Sequence, residues 1–270
     1  MRRCRTIMFL VSALILVLLV AGITQAKSLD EILKAKEIRV GINPTLQPLG
    51  VFNDKNEIDG FDREVAQAIA DALGVELKIV KVGSPDRIPF VSSDKIDFVM
   101  GAMTRNPTRA QIIDFTVPVH TEVFGVLTTA ENKRAHWKDY DDPNITLVQV
   151  RGTTPVPFIE KNLPKAKVLL LDNYPDVIRA IAQGRGQAML DVVDFMWDHT
   201  KTHKNVKWEV VDTPVNVYFC CLGVAKGNYT LRDWLNVELF ELHRSGTIDT
   251  IWEKWFGGPM VFKVPATAWF

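Results

Sequence analysis

The sequence repeats one local pattern, in which a short apolar segment typical of a β-strand is followed by an amphipathic segment typical of an α-helix. In the first series, Ile38–Ile42, Val75–Val82 and Ile96–Met100 have the strand pattern, and Phe61–Leu73 is the helix between the first two. Alternating strands and helices predict a mostly parallel sheet with helices on both faces. In such sheets, small molecules bind at the carboxyl ends of the strands.

The pattern begins again after the polar stretch Glu131–Asn144. Ile145–Val150, Ala166–Leu171 and Ala188–Leu190 are the predicted strands of this second series, and Tyr174–Ala182 is a helix with a proline in its first turn. Two such series in a chain of 270 residues provide enough sequence for two compact lobes. The chain therefore predicts an α/β protein with two lobes, each containing a mostly parallel sheet flanked by helices.

The first 26 residues have the pattern of a secretory signal peptide. Met1–Arg5 contains three arginines, Ile7–Ile23 is almost continuously apolar, and Thr24–Ala26 offers the small residues that a cleavage site needs. We expect cleavage after Ala26 and export of residues 27–270. The alternative is an uncleaved anchor, because the apolar run approaches the roughly 18 residues that span a membrane.

Charge and cysteine content exclude two classes of protein. The chain has 32 basic and 32 acidic residues, and removal of the three N-terminal arginines leaves 29 basic residues. This balance gives no basic excess that would indicate nucleic acid as a partner. Only Cys220 and Cys221 remain in the exported part, and adjacent cysteines rarely reach the ~5.5 Å Cα spacing of a disulfide. We expect both to be buried as small apolar strand residues.

One stretch combines a strand end with groups that bind carboxylates. The strand Ile96–Met100 leads into small residues and Thr104, and a helix that begins at Pro107 carries Arg109 in its first turn. The arginine guanidinium is a planar fork of donors that matches a carboxylate. A helix N-terminus adds backbone N–H groups and the positive end of the helix dipole. The stretch predicts a binding site for a small carboxylate.

The same stretch resembles the signature of the periplasmic polar-amino-acid-binding proteins of ABC transporters. The match covers Met103, Thr104, Pro107 and Arg109, and it continues to Asp114–Phe115 at the spacing that the family has. Two further segments are similar to this family.

The segment from Gly41 to Asp62 is similar to the opening part of the family, and Gly246–Gly257 is similar to its closing helices. The resemblance covers about Leu29–Gly257, which is nearly all of the expected exported chain.

This resemblance implies a two-lobe type II periplasmic-binding-protein fold with two hinge strands that cross between the lobes. We expect residues 27–127 and 217–270 to form lobe 1 and residues 128–216 to form lobe 2, with crossings near Phe124–Thr129 and Val215–Leu222. The resemblance also implies a periplasmic monomer that captures a small amino acid, or a related carboxylate, between its lobes. It would close by hinge motion and deliver the ligand to the membrane permease of an ABC transporter.

On lobe 1, the resemblance implies three residues that contact the backbone groups of the ligand. Arg109 would clamp the α-carboxylate, Thr104 would contact the same group, and the carbonyl of Ala102 would accept a hydrogen bond from the α-ammonium. Leu46 stands where related proteins commonly have an aromatic residue in the side-chain pocket. Because Val119–His120 also replaces a common tyrosine, the sequence leaves the ligand unidentified.

On lobe 2, the loop Gly152-Thr153-Thr154 follows a strand and precedes a helix, so its N–H groups and hydroxyls could meet the far side of the carboxylate. The resemblance places the ammonium partner, an aspartate in the family, at Val192. Asp191 lies one residue before this position and Asp194 lies two residues after it. A single-residue slip reverses the facing of a strand, so both aspartates remain candidates, and we favour Asp191.

Two other functions occur on the same fold. Cyclohexadienyl dehydratases are exported enzymes that would need a general acid facing the ligand, and the sequence identifies none, although Asp191 or Asp194 could serve. A ligand-sensing domain would need a following transmembrane or signalling segment, whereas the sequence ends at Phe270. We expect a binding protein without enzyme activity or cofactor. We also expect no metal, since His199 and His203 have the spacing of a metal site but no evident third ligand.

Overall fold

The computed structural model describes residues 27–267, without the side chains of residues 197–199 and 212–214. The predicted signal peptide, residues 1–26, lies outside the described residues, and so does the side chain of His199. Within the described part of the chain, no helix combines the length and the apolar character needed to cross a membrane.

Helices and strands alternate along the chain as the sequence pattern predicts. The α-helices of residues 27–267 are α1 (Leu29–Ala35), α2 (Phe61–Leu73), α3 (Arg87–Ser92), α4 (Pro107–Ala110), α5 (Pro155–Asn162), α6 (Tyr174–Ala182), α7 (Val193–Thr200), α8 (Tyr229–Arg244) and α9 (Thr247–Phe256). The strands are β1 (Glu37–Ile42), β2 (Val51–Phe52), β3 (Ile58–Asp59), β4 (Glu76–Lys81), β5 (Phe98–Val99), β6 (Ile113–Thr129), β7 (Thr146–Val150), β8 (Lys167–Leu171), β9 (Ala188–Val192) and β10 (Trp208–Ala225).

Local sequence signals explain where the first helices begin and end. The side chain of Ser28 accepts a hydrogen bond from the N–H of Glu31, and the Glu31 carboxylate accepts one from the N–H of Ser28. This capping box starts α1. Helix α2 ends at Gly74, which adopts a left-handed conformation with φ of 66°. The face of α2 that contains Val65 and Ile69 packs in the core.

The main sheet contains eight strands in the order β4-β1-β5-β10-β6-β9-β7-β8. Strand β1 is parallel to β4 and β5 on one side, and β7 is parallel to β8 and β9 on the other. Between these two parallel groups lie the antiparallel strands β6 and β10. The predicted fold class is confirmed: two groups of parallel strands with flanking helices are joined by two long crossing strands.

The pairing pattern locates the crossing between the two groups. Strands β6 and β10 pair with each other from Pro118–Phe124 to Asn216–Cys221. On one side of this paired region, β10 continues to Gly223 and Val224, which pair with β5. On the other side, β6 continues along β9. The prediction for β10 agrees with this position. In β6 the predicted crossing, Phe124–Thr129, is displaced, because residues 124–128 already pair with β9.

In the sequence, Val206–Val211 and Val217–Val224 have the patterns of two separate strands. The structure instead has one strand, β10, with a register shift between Val211 and Asn216. The predicted lobe boundaries at residues 127 and 217 stay a prediction, and the pairing argues for an earlier boundary in β6.

The hydrophobic core is continuous between the two lobes, and aromatic side chains form part of the connection. Trp252 and Phe256 of α9 stack with ring centroids 3.7 Å apart. Phe256 also contacts Phe195 of α7, at a centroid distance of 5.7 Å. Since α7 follows β9 of lobe 2 and α9 packs on α2 of lobe 1, this contact joins the lobes beside the crossing strands.

Candidate functional site

A small cavity lies between the lobes, where loops follow the ends of several parallel strands. Its free volume is about 10 Å³, about the space that one water molecule needs. Segments that follow β5, β7 and β8 contribute to its wall, as do β6 and β9. The lining residues are Arg87, Ala102, Thr104, Glu122, Phe124, Thr153, Thr154, Pro155, Tyr174 and Asp191.

Arg87, which sequence analysis did not identify, organises the loop after β5. Its guanidinium donates from Nε to the carbonyl of Ser84 at 3.1 Å, and from Nη1 to the carbonyls of Gly101 and Ala102, the latter at 3.1 Å. The loop needs this support because Gly101 and Ala102 both have positive φ, 79° and 54°. Arg87 is 3% exposed, and burial lowers the pKa of its guanidinium.

Arg109 is buried, but backbone carbonyls occupy its fork. Nη1 donates to the carbonyl of Thr104 at 2.7 Å and Nη2 donates to the carbonyl of Gly152 at 2.9 Å. Burial lowers the pKa of Arg109 to about 10, so it remains charged at neutral pH. Arg109 lies behind Thr104 and is not among the residues that line the cavity.

The helix that carries Arg109 is only one turn long. Helix α4 is a single turn of four residues, and the side chain of Asn106 accepts a hydrogen bond from the N–H of Arg109 at 2.9 Å. The predicted contribution of a helix N-terminus is therefore wrong in one respect: this N–H group is already bonded within the turn. The guanidinium remains as the cationic group of the segment.

The loop after β7 reaches across the cleft and contacts lobe 1. The carbonyl of Gly152 accepts from Arg109, and it lies 3.5 Å from Nη2 of Arg87. The hydroxyl of Thr154 donates to the hydroxyl of Thr104 at 2.9 Å. The hydroxyl of Thr153 instead donates to the carbonyl of Val150 within its own turn, at 2.7 Å. These contacts define a closed arrangement of the two lobes.

The carbonyl of Ala102 lies at the cavity but already has two donors. It accepts from Nη1 of Arg87 at 3.1 Å and from the N–H of Thr104 at 2.9 Å. A ligand ammonium at this carbonyl would have to share the acceptor with at least one of these groups.

Asp191 provides a carboxyl oxygen without a hydrogen-bond partner. Its Oδ1 accepts from the N–H of Val192 at 2.8 Å, whereas its Oδ2 has no partner among the described residues. Asp191 is 4% exposed, and burial raises the pKa of its carboxyl to about 7 against the opposing effects of Val192, Tyr174 and Arg87. A buried carboxyl oxygen without a donor is costly unless a ligand supplies one.

The structure separates the remaining predicted residues from the cavity. Asp194, at the second position of α7, is absent from the cavity lining, and burial raises its pKa to about 6. Leu46 is 1% exposed and packs in the hydrophobic core rather than at the cavity. Of the two aspartates left open by the sequence, Asp191 is the one that the fold brings to the cavity.

Glu122, like Arg87, is a charged residue that lines the cavity and that sequence analysis did not identify. It lies in the crossing part of β6 and is 1% exposed, and its Oε2 accepts a hydrogen bond from the Thr104 hydroxyl at 3.1 Å. Burial, together with the negative charge of Asp191, raises its pKa to about 7. The signal that could have identified it was a charged residue directly before the apolar run Val123–Leu127, within a predicted strand.

The two cysteines are buried and free, as predicted from their position in a strand. Burial raises the pKa of Cys221 to about 12 and that of Cys220 well above its ordinary value. Both are therefore unreactive thiols at neutral pH. Among the side chains that the structure describes, which exclude those of residues 197–199 and 212–214, no group of three or more His, Cys, Asp or Glu is placed to hold a metal ion.

Comparison with known proteins places this geometry among binding proteins. The chain is 27% identical over 226 residues to an ABC transporter glutamine-binding protein of Bacillus subtilis, with 81% of each chain covered. It is 24% identical over 272 residues to a glutamate/aspartate import solute-binding protein of Escherichia coli, covering 92% of this chain and 88% of that protein.

Solved structures give the same result. An ancestral amino acid-binding protein, described as a precursor of cyclohexadienyl dehydratase, superposes with a TM-score of 0.78 at 30% identity, covering 84% of this chain and 99% of that one. A solute receptor for L-cysteine from Neisseria gonorrhoeae gives a TM-score of 0.79 at 27% identity, covering 85% and 93%. The family model for bacterial extracellular solute-binding proteins matches residues 38–258. The chain therefore belongs to the bacterial extracellular solute-binding proteins, family 3.

Proposed function

We propose that the chain binds a small free amino acid, or a closely related ammonium carboxylate, in the cavity between its lobes and presents the closed form to an ABC permease. The observation that carries this proposal is the unpartnered Oδ2 of buried Asp191, which lines the same small cavity as Thr104 and Thr154. An ammonium group is the donor that best satisfies such an oxygen, because it is charged and has three N–H groups.

The guanidinium of Arg109 supplies the positive charge that suits the carboxylate of the same ligand. Arg109 uses two of its five N–H groups on backbone carbonyls, and one of these carbonyls, Gly152, belongs to the opposite lobe. When the lobes separate, Arg109 loses this acceptor, and a ligand carboxylate can take its place. The Thr104 and Thr154 hydroxyls lie beside this position.

The shape of the cavity favours a small ligand. Phe124, Pro155 and Tyr174 contribute apolar or aromatic surface, and only about 10 Å³ stays free between the lobes, so a small ligand needs the least opening of the cleft. The relatives with named ligands, glutamine and glutamate or aspartate in the examples above, support the amino-acid class.

We further propose that the protein acts in the periplasm as a monomer after removal of residues 1–26, and that it binds without catalysis. The sequence identified no certain general acid, whereas the carboxyl groups of Glu122 and Asp191 both line the cavity and could donate a proton. The proposal rests instead on the binding-protein relatives. Incubation with prephenate and with arogenate should give no product by chromatography.

The decisive experiment has two stages. Purified residues 27–270 are denatured and the released small molecules are identified by mass spectrometry. Calorimetry with the identified compound, and with each common amino acid, then follows on refolded protein. We expect one ligand per chain. If no compound is released and no amino acid gives a binding heat, the proposed ligand class is wrong.

A further inference from the structure

Glu122 is connected to the opposite lobe through a chain of side-chain hydrogen bonds. The Thr154 hydroxyl donates to Thr104 at 2.9 Å, and the Thr104 hydroxyl donates to Oε2 of Glu122 at 3.1 Å. Each hydroxyl has a single hydrogen. In this direction, therefore, Thr104 has no hydrogen left to donate to a ligand carboxylate.

The direction of this chain depends on whether Glu122 carries a proton. An ionised carboxylate only accepts, so it draws the hydrogen of Thr104 towards itself. A protonated Glu122 can donate to the Thr104 oxygen instead. The hydrogen of Thr104 is then free to point into the cavity, where a ligand carboxylate needs donors.

The charges around Glu122 favour the protonated form in the closed cleft. The ionisable groups that act on it are Asp62 of α2, Arg87 of α3, Arg109 of α4, Tyr174 of α6, Asp191 of β9, and Cys220 and Cys221 of β10. Two guanidiniums therefore face three carboxyls, counting Glu122. A zwitterionic ligand adds no net charge, so one proton on a carboxyl removes the excess negative charge from a site with little water.

We propose that Glu122 is a positioning residue that holds a proton in the closed, ligand-bound protein, directs the Thr104 hydroxyl towards the ligand carboxylate, and makes ligand binding take up a proton. This inference rests on the proposed function. Opening the cleft exposes Glu122 to water, and its pKa then moves from about 7 towards the ordinary value of 4.5. Closure therefore takes up a proton between these pH values, and affinity increases as the pH falls.

Calorimetry tests this directly with the amino acid that binds. Titrations at about pH 6 in buffers of different ionisation enthalpy report the number of protons taken up with each ligand. We expect a net uptake approaching one proton per ligand, and an affinity that decreases by up to about tenfold per pH unit between the ordinary pKa of 4.5 and the closed-form pKa of about 7, and that levels off above it. No proton uptake between about pH 5 and pH 8 would overturn the proposal.

The variant Glu122→Gln distinguishes Glu122 from the neighbouring carboxyls. Glutamine is neutral at every pH, similar in shape, and able to donate to Thr104. We expect the variant to keep the low-pH affinity of the wild type while losing the proton uptake. If the uptake persists in Glu122→Gln, the proton is held elsewhere, with Asp191 the nearest alternative, and the role of Glu122 is refuted.

A ligand-independent measurement separates this inference from the proposed function. Infrared spectra at about pH 6 of ligand-free protein whose lobes are cross-linked in the closed form should contain the carbonyl band of a protonated carboxylic acid, and this band should be weaker in Glu122→Gln cross-linked in the same way. If no amino acid binds but the band is present, the proposed ligand is wrong and the protonated Glu122 stands. If the band does not differ between the two proteins under closed conditions, Glu122 is ionised and the inference fails.

Discussion

Gly152 of lobe 2 lies against Pro85 of lobe 1, so closely that a Cβ atom on Gly152 would be 3.0 Å from the Cα of Pro85. Gly152 also has φ of +77°, a backbone conformation that side chains disfavour. Its carbonyl accepts the hydrogen bond of Arg109 at 2.9 Å. The contact between Gly152 and Pro85 therefore depends on the absence of a side chain at Gly152.

Gly152→Ala should hinder closure of the cleft. We expect ligand affinity to fall by about tenfold or more, because the added Cβ would meet Pro85 when the lobes close, whereas the strain of a left-handed alanine is present with and without ligand. Gly184→Ala is the matched control, because Gly184 has φ of +71° and an added Cβ would meet nothing within 4 Å. Calorimetry and small-angle scattering with saturating ligand would measure the effect. Equal behaviour of the two variants would show that the contact with Pro85 does not limit closure.

Arg109→Lys should weaken ligand binding severely. Lysine keeps the charge but lacks the planar fork, and loss of a charge-assisted pair costs on the order of 3 kcal/mol, or more than a hundredfold in affinity. Arg105→Lys is the control, since Arg105 belongs to the same segment but is exposed and lies over the ring of Phe219. Calorimetry in which Arg109→Lys binds like the wild type would remove Arg109 from the site.

Arg87→Met should destabilise the folded protein. The substitution leaves the carbonyls of Ser84, Gly101 and Ala102 without their buried donor, at an expected cost of about 3 kcal/mol in the free energy of unfolding. Arg185→Met, at an exposed position, should change this free energy by less than about 0.5 kcal/mol. Urea unfolding followed by tryptophan fluorescence would compare them, and equal midpoints would contradict the role given to Arg87.

His120 should make the protein less stable in mild acid. It is 2% exposed and its ring packs against Phe61 and Trp252, so burial lowers its pKa from 6.5 to about 4. In this window the unfolded chain binds a proton that the folded protein does not, so stability falls as the pH falls from 6.5 to 4. The stability conferred by a neutral buried His120 is fully present above pH 6.5.

The variant His120→Gln isolates this effect from the carboxyls, because it has no ionisable group at the position. Relative to the wild type, its free energy of unfolding should improve by about 3 kcal/mol between pH 6.5 and pH 4. Denaturant titrations at several pH values would measure the difference. A difference between the two proteins that does not change with pH would mean that folding leaves the pKa of His120 at its ordinary value of 6.5.

The local part of the site could be predicted, because its signals lie close together in the sequence. Thr104 and Arg109 are five residues apart on one loop and turn, and the structure bonds the Arg109 guanidinium to the Thr104 carbonyl. The capping residue Ser28 and the helix Tyr174–Ala182 were recognisable for the same reason. Each of these features is determined by neighbouring residues.

Residues that act through the tertiary fold were not predictable in this way. Arg87 begins a short helix and resembles any surface arginine in sequence, and only the folded loop at Gly101 and Ala102 gives it acceptors. The choice between Asp191 and Asp194 depended on where β9 ends, which a one-residue change in register would reverse. The displacement of the crossing in β6 has the same origin, since the pairing of Phe124 with Val192 joins distant parts of the chain.

Strand β10 lies between β5 and β6 in the sheet, although it is the last strand in the chain. The three parallel strands of lobe 2 are consecutive in sequence, so they can assemble as soon as they are synthesised. Lobe 1 cannot complete its sheet until Gly223 and Val224 arrive to pair with β5, after all of lobe 2 has been made. Contacts between distant segments form slowly. The lobe that begins the chain is therefore the last to finish folding, which keeps the nascent protein open for longer than either lobe alone would require.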